Sequence, residues 1–573
     1  MGARSSFESA RPERRAHRVA CATGLAVAFA ACVPAALAAQ SPAPEPARDT
    51  LLSLVEAPAI GSDLEARSRL RQIVGIDSTA GFLTRSLSSR LTLPASADSV
   101  FWRVLAPELY AVGNSAFPFS QNDGALWAGR GPSVRLSAGV AASWGPLRVI
   151  LAPELLRSKN SGFEDVDETR WWRPAMDLSV YSPWASPWHR YPFSLDGPER
   201  FGDGRLTELS PGQSSLWGEW GSLAVGVSAE NLWWGPGIHD ALVMTNNAGG
   251  VPHAFVRTAR PVRTGVGDFE GRWLVGKLSE SDYFDLDSSN DTRSLAAAVV
   301  TWRPRWEPDL TVGVARAVFA ATDESWKVLG RWTDVWQPGD RPNSRPWSDD
   351  SYTGGRDGLT SLFARWVFPS QGGEVYTEIG RAERPASLRD FLAAPNHTMA
   401  YILGGQLARP FDAVDGHWRI QAEFLQNEQT PTYRYRPTHS WYSSRATPQG
   451  YTQRGQVIGA TVGPGSSHQL LAADVIAPTW SAGVFATRWR RNTDMWFTVP
   501  YPWGTGSCEY DTMLSPGVRG SYRWSGVGMV RAEMLFTNRL NAWNQNNGGC
   551  PEVTHARDVR NTTLRLWVTP LVF

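Results

Sequence analysis

ENLWWGPGIHDALVMTNNAGGVPHAFVRTARP, residues 230–261, is broken too often by glycine and proline to form a helix and is too long for a hairpin turn. The residues just before it, 222–230, have the texture of a β-strand, and so does the end of the stretch, 253–261. The sequence therefore predicts a shaped loop that joins two strands.

Several residues of this loop resemble the signature of the Wzi capsule-assembly family. They are Trp233, Trp234, Gly235, Pro236, Gly237, Asn246, Asn247, Pro252 and His253. Segments 129–139 and 454–467 also look similar to that family. The resemblance implies an outer-membrane β-barrel with a small helical N-terminal part, which binds capsular polysaccharide at the cell surface.

Two interpretations of this motif are open. Tryptophan faces can stack on the apolar side of sugar rings, and asparagine amides can bind their hydroxyls. Alternatively the loop is a structural plug, in which glycines allow tight turns and asparagines cap them. The punctuation by glycine and proline favours the plug, because these residues act first on the backbone.

Composition limits the function. The chain has 573 residues, which allows several domains or one large barrel. Its 56 basic and 55 acidic residues give a net charge of +1, so no nucleic-acid partner is indicated. The 28 tryptophans are twice the 14 tyrosines, and such aromatic side chains gather at membrane interfaces and on sugar-binding faces.

Residues 1–39 have the pattern of a signal peptide. An apolar run from Val19 to Ala38 ends in the small-residue triplet Ala36-Leu37-Ala38 and follows four basic residues, Arg11, Arg14, Arg15 and Arg18. A membrane anchor and a lipoprotein acylated at Cys32 are the alternatives, but Pro34 breaks the first and the residues around Cys32 fit the second poorly. Residues 40–50 are predicted to be a flexible segment.

The remaining chain is predicted to have two parts. Residues 51–128 form a small N-terminal helical part, with one amphipathic helix at 62–75 capped by Ser62 and a weaker helical signal at 79–89. Residues 129–573 alternate between apolar and polar side chains, as in 417–426 and 530–536. The fold class is therefore all-β, a transmembrane antiparallel β-barrel of about 18 strands.

The direction of each strand follows by counting back from the C-terminal strand, which ends at Phe573 and is placed on the periplasmic side. The count makes 428–467 and four earlier long segments outer loops, and it makes 144–146 an outer turn and 157–171 an inner one. Segment 454–467 is predicted to fold into the lumen. Cys508 and Cys550 fall on one side, where we expect a disulfide; two free thiols are the alternative.

The outer loop at 428–467 offers the predicted polysaccharide contacts. Aromatic faces next to guanidinium groups suit an acidic polymer, since arginine binds carboxylates in a bidentate fork. An interfacial girdle or ordinary loop packing is the alternative. The candidates are Tyr433, Arg434, Tyr435, Arg436, Trp441 and Tyr442.

Catalytic and metal-binding motifs are not evident: there is no HExxH, and GPGSSH at 463–468 is not a nucleophile elbow. We expect no enzyme, no cofactor and no metal, and we interpret the acidic run 282–291 as a solvated loop rather than a calcium site. The expected partners are capsular or exopolysaccharide, outer-membrane lipid and possible export machinery, with the protein a monomer. A porin and a lipid- or glycan-modifying barrel enzyme are the alternatives.

Overall fold

The computed structural model describes most of the chain after residue 55. The described residues are 56–79, 81–94, 100–163, 195–284, 291–322, 324–337, 355–382, 384–385, 387–434, 438–444, 447–494, 510–544 and 558–570. The predicted signal peptide, the flexible segment 40–50 and both cysteines, Cys508 and Cys550, lie outside them.

The elements follow each other along the chain as helices α1–α3 and strands β1–β25. The helices are Asp63–Ile73, Leu87–Arg90 and Leu388–Ala393. The strands are, in order, Thr84–Arg85, Phe101–Asn114, Gly131–Trp144, Leu147–Leu151, Glu154–Ser158, Leu206–Ser210, Ser215–Trp220, Leu223–Ser228, Trp233–Trp234, His253–Thr258, Val262–Thr264, Gly267–Ser279, Thr292–Pro304, Leu310–Ala321, Arg356–Phe368, Gly373–Arg381, Met399–Phe411, Gly416–Gln426, Thr452–Gln453, Gln456–Val457, Ser467–Ile476, Trp480–Arg490, Thr512–Trp524, Gly528–Leu540 and Val559–Pro570.

The strands form a closed antiparallel barrel, as predicted. Strand β2 pairs with β3 on one side and with the C-terminal strand β25 on the other, which closes the wall. Three wall strands are each interrupted by a short irregularity, so that β4 with β5, β6 with β7, and β10 with β11 act as single strands. Counted this way, the described residues make an 18-stranded barrel.

The outer face of the wall is apolar, and most of its exposed tryptophans lie at one end. Exposed leucine, valine, isoleucine and phenylalanine side chains alternate with inward polar ones along most strands. Seven exposed aromatic residues lie beside the short turns: Trp102, Trp144, Trp220, Trp306, Trp366, Tyr522 and Trp524. Two more, Trp326 and Trp336, are exposed near the opposite end. This is the girdle that membrane barrels place at the lipid–water boundary, and it accounts for part of the high tryptophan content.

The two ends of the barrel differ. We call the end with the connections 304–310, 368–373, 411–416, 476–480 and 524–528 the short-turn end, and the opposite one the long-loop end. The turn at 144–146 lies at the short-turn end and β5 ends at the long-loop end, so the predicted sides of 144–146 and 157–171 are wrong. The strands that flank both cysteine segments end together at the long-loop end, so the disulfide stays a prediction.

The N-terminal part closes the short-turn end from inside. Helix α1 begins at the predicted cap, where the Ser62 hydroxyl accepts from the Glu65 backbone N–H. The Arg69 guanidinium of α1 binds Glu374 on the wall at 2.7 Å, and Leu70 and Ile73 pack on Ala408 and Ile476. This part is shorter than predicted.

The boundaries of the predicted helical part need correction. Residues 79–89 contain only the two-residue strand β1 and the start of the four-residue helix α2. Residues 101–114, predicted to belong to the helical part, are the barrel strand β2. The barrel therefore begins before residue 129. None of the helices in the described residues is long and apolar enough to cross a membrane.

Candidate functional site

The predicted loop between β8 and β10, residues 229–252, folds into the barrel lumen, and we call it the inserted loop. The two strands it joins pair with each other along their length, as expected for neighbours. Trp233 and Trp234 are buried and form β9, which pairs with β1 of the N-terminal part. Rings enclosed in this way have no open face for a sugar, which supports the plug interpretation of the tryptophan part of the motif.

A single wall carboxylate, Glu423, fastens the tip of this loop. Its Oε1 accepts from the backbone N–H groups of His239 and Asp240, at 3.0 and 2.8 Å. Its Oε2 accepts from the Ile238 N–H at 2.7 Å and the Tyr376 hydroxyl at 2.6 Å. Four donors thus converge on one buried carboxylate, and the loop tip cannot leave the wall without breaking three of these bonds.

Gly237 is required for the shape of this tip. A Cβ added to Gly237 would lie 1.8 Å from the Asp240 carbonyl oxygen. We therefore expect Gly237→Ala to displace the tip from Glu423 and to lower the free energy of unfolding by about 2–3 kcal/mol. Protease cleavage within the loop and urea unfolding in detergent would measure this. Gly113→Ala, where the added Cβ meets nothing within 4 Å, is the matched control; equal behaviour of the two variants would contradict the prediction.

A second long loop, 427–466, packs against the first one. The Tyr442 hydroxyl donates to the Leu242 carbonyl at 2.9 Å and accepts from the Ala460 N–H at 2.9 Å. The Thr245 hydroxyl donates to the Gly459 carbonyl at 2.6 Å. Segment 454–467 is thus folded into the lumen, as predicted.

Two of the predicted polysaccharide contacts need correction. Trp441 and Tyr442 are 3% and 1% exposed. The Trp441 indole N–H donates to the Thr398 carbonyl at 3.0 Å, and both rings pack in the lumen. These two rings pack in the interior and do not form an open surface for a sugar. The side chains of Tyr433, Arg434, Tyr435 and Arg436, and most of the acidic run 282–291, lie outside the described residues.

An open cleft of about 830 Å³ lies at the long-loop end, above the inserted loops. Three aromatic side chains line it: Phe119, Trp127 and Trp489. The rings of Phe119 and Trp489 meet edge-on, with centroids 6.2 Å apart. The indole N–H groups of Trp127 and Trp489 have no hydrogen-bond partner in the described part of the chain. These two N–H groups are themselves buried, and Phe119 and Trp489 are only 2% and 6% exposed. The half-buried Trp127 ring is therefore the aromatic surface that the cleft offers to a sugar, and the other two rings support it.

Polar side chains complete the cleft. Arg491 lies over the Trp489 ring, 4.9 Å from its centroid, and pairs with Glu199 at 3.6 Å. Asn247 of the family motif donates to the Val457 carbonyl at 2.9 Å and accepts from the Thr461 hydroxyl at 3.0 Å. The cleft therefore combines apolar faces with an arginine and an amide, which is the chemistry predicted for the 428–467 loop alone.

The cleft wall at 195–199 is fixed by a buried carboxylate, Asp196. It accepts from the Ser281 N–H at 2.7 Å and the Ser281 hydroxyl at 2.6 Å. Burial raises the pKa of Asp196 to about 6, against the opposing effect of the Ser281 hydrogen bonds. Because that pKa lies below 7, the carboxylate is charged at neutral pH and accepts both hydrogen bonds from Ser281.

A second space of about 990 Å³ lies on the other side of the inserted loop, toward the short-turn end. Asn246 lines it, together with the ion pair of Arg135 and Glu108 at 3.0 Å. The Asn246 amide donates to the Asn122 carbonyl at 3.1 Å, which joins the loop 115–130 to the inserted loop. The neighbouring residues Asn246 and Asn247 thus face different spaces, and the segments that carry them separate the two.

The inserted loop also brings together a group of metal-binding type. The His239 and His468 Nδ1 atoms lie 3.3 and 3.2 Å from the Asp240 carboxylate. Burial alone would raise the pKa of Asp240, but its hydrogen bonds with the two imidazoles outweigh this and lower that pKa below its usual range. Asp240 is therefore a carboxylate at every physiological pH.

Sequence reasoning missed most of these side chains. Glu423 was visible only as one polar residue on the lumen face of an alternating strand. His468 lies on the wall strand β21, whereas His239 lies in the loop between β8 and β10, more than 200 residues earlier in the chain. Trp127 and Trp489 had no local signal beyond being tryptophans near the ends of loops, and only the closed barrel brings them together.

Comparison with known proteins agrees with the predicted family. Residues 203–472 match the family described as Capsule assembly protein Wzi, and no curated protein sequence matches. The solved structure of Escherichia coli Wzi, described as a carbohydrate-binding outer-membrane β-barrel involved in group 1 capsule assembly, is similar at TM-score 0.50 and 11% identity, over 82% of this chain and 85% of that one.

Other solved barrels are less similar. Acinetobacter baumannii OccAB2 matches at TM-score 0.36 and 8% identity, over 81% of this chain and 97% of that one. Pseudomonas aeruginosa OccK2 matches at 0.38 and 10%, over 83% and 99%. The closed barrel with its apolar outer band agrees with the predicted location in the outer membrane.

Proposed function

Because this chain carries a Wzi capsule-assembly family segment at residues 203–472, we propose that it binds surface polysaccharide and helps attach or assemble a capsule or exopolysaccharide layer. The observation that carries the proposal is the cleft at the long-loop end. Its aromatic rings, its arginine and its amide lie above a lumen that the inserted loops fill. That arrangement suits binding at the surface better than passage through an open channel.

The proposed mechanism is weak, repeated binding of a polymer. The half-buried Trp127 ring contacts the apolar face of a sugar residue, the buried Trp489 ring supports the cleft wall, and Arg491 and Asn247 bind hydroxyl or carboxylate groups. Each contact is weak, but successive repeats of one polymer, held by many copies of the protein, add by avidity. We propose no catalytic step and no cofactor for this function.

Other contacts belong to the same proposal. Tyr433, Arg434, Tyr435 and Arg436 remain proposed contacts for acidic sugars on chemical grounds. The same proposal includes outer-membrane lipid around the apolar wall, a contact with export machinery and a monomeric state.

Capsule retention tests the function directly. In a strain that lacks the gene, we expect polymer to be made but shed, with the cell-bound fraction restored by the wild-type chain. The double variant Trp127→Ala/Trp489→Ala should fail to restore it, because it removes the Trp127 contact, worth about 1 kcal/mol, together with the ring that supports the cleft wall, and the loss is multiplied along the polymer. Cell-bound and released polysaccharide are the measured quantities.

The control for this experiment is Trp306→Ala, which removes an indole that is 70% exposed beside a short turn. It should retain polymer like the wild type, and the mobility of unheated samples in gels should show all three barrels folded. If deletion leaves retention unchanged, the binding proposal fails and single-channel conductance becomes the next measurement. If deletion sheds polymer but the double variant restores retention as well as the wild type does, the cleft is not the binding site.

A further inference from the structure

Three side chains inside the barrel have the composition and the spacing of a metal site. His239 and Asp240 lie in the tip of the inserted loop, and His468 is the second residue of the wall strand β21. One ligand atom of each lies within 4.8 Å of the others. The two imidazole rings face each other with centroids 4.7 Å apart. Two imidazoles and a carboxylate form a common ligand set for zinc and similar ions.

The distances fit metal ligands better than hydrogen bonds alone. Charge-assisted N–H···O bonds are usually about 2.7–2.9 Å long, whereas these two contacts measure 3.2 and 3.3 Å. Ligand atoms that bind one zinc ion tetrahedrally at about 2.0–2.1 Å lie about 3.3 Å from each other. The two nitrogen–oxygen distances therefore match the edges of such a site, and the two imidazole nitrogens, which lie within 4.8 Å of each other, complete it by a small movement of the rings.

The surroundings hold the ligands in place. The second Asp240 oxygen accepts from the Thr461 N–H at 2.9 Å, and Glu423 fixes the backbone that carries His239 and Asp240. The Nε2 atom of His468 is buried and has no hydrogen-bond partner in the described residues. The other ring nitrogen, Nδ1, faces Asp240 and is the atom placed to bind an ion.

We propose that His239, Asp240 and His468 bind one divalent transition-metal ion, with Zn²⁺ the best match for two nitrogens and one oxygen. The ion cross-links the tip of the inserted loop to the barrel wall, so it stabilises the filled lumen beneath the cleft. The His239 side chain is 21% exposed, which gives an ion access to the site. This proposal is independent of polysaccharide binding.

The test uses the full-length chain, purified in detergent without a histidine tag and stripped with EDTA. Calorimetric titration with ZnCl₂ should show one equivalent bound, and CoCl₂ should give the visible absorption of a tetrahedral site. We expect His239→Ala to weaken zinc binding by at least about tenfold. His468→Asn should do the same, although its amide can keep the hydrogen bond to Asp240 and therefore the fold.

His417→Asn is the matched control, because His417 lies on a strand near a short turn, away from the three residues. It should bind zinc like the wild type. Zinc should also slow protease cleavage in the loop of the wild type and of this control, but not of the two variants. No stoichiometric binding by the wild type, or equal binding by His468→Asn, would overturn the proposal and leave a triad held by hydrogen bonds.

Discussion

Glu423→Ala will release the inserted loop from the wall and abolish capsule retention while the barrel itself still assembles. The substitution leaves three backbone N–H groups and the Tyr376 hydroxyl without an acceptor in a buried site. Each unsatisfied donor costs roughly 1–3 kcal/mol. We expect the free energy of unfolding to fall by about 4 kcal/mol or more, unless the loop leaves the lumen and its donors reach water.

Limited proteolysis separates these two responses. If the loop leaves the lumen, the peptide bonds after Arg257 and Arg263 on the wall stay protected from trypsin. Peptide bonds within 229–252, in contrast, become cleavable by a non-specific protease. Glu423→Gln is the graded control, because the amide keeps one oxygen for two of the four donors and should give a smaller change. Glu307→Ala alters an exposed carboxylate beside a short turn and should behave like the wild type.

Retention then links the loop to function. Asn247 reaches the cleft only because the loop holds it there, through Val457 and Thr461. Loss of the loop should therefore remove the cleft floor as well as the plug. If Glu423→Ala frees the loop but retains polymer fully, binding does not use this floor, and the aromatic wall at Trp127 and Trp489 is sufficient.

The strands could be predicted from sequence because their signal is local. Residues 417–426 alternate, and the structure has a strand at Gly416–Gln426. Strand β2 was missed because its alternation is interrupted: the pairing register shifts between Leu105 and Glu108, around Pro107. The expectation of about 18 strands was nevertheless confirmed. The error lay near the start of the barrel, where the count from sequence made 157–171 an inner turn, whereas β5 ends at the long-loop end and pairs with β6.

The site was less accessible to sequence reasoning, because its contacts join distant parts of the chain. The motif indicated the loop correctly. It did not indicate that Trp233 and Trp234 are enclosed in the lumen, or that Asn247 reaches the cleft. Aromatic and arginine residues in 428–467 suggested sugar contacts, yet Trp441 and Tyr442 are used for packing. Which polar residue on a lumen face meets which loop depends on closure of the barrel, and no short-range pattern carries that information.

Glu374→Ala is expected to detach the N-terminal part from the short-turn end. Glu374 is buried between two arginines: Arg69 of helix α1 and Arg365 of the wall each lie 2.7 Å from it. It also accepts from the Gln406 amide at 2.7 Å. Removing the carboxylate leaves two guanidinium groups close together without their counter-charge, which costs about 3–5 kcal/mol when a buried pair is broken from one side.

The apolar contacts of α1 are too few to offset that cost, since Leu70 and Ile73 meet only Ala408 and Ile476 in their cluster. We therefore expect α1 to become protease-sensitive in detergent, while single-channel conductance stays low because the loop held by Glu423 still fills the lumen. The double variant Glu374→Ala/Arg69→Met should regain part of the stability, because only one unpaired guanidinium remains and methionine keeps the packing of the arginine stem. Unchanged protection of α1 in Glu374→Ala would mean that the remaining contacts, among them Arg67 with the Ala477 carbonyl at 2.8 Å, hold the helix without the buried charges.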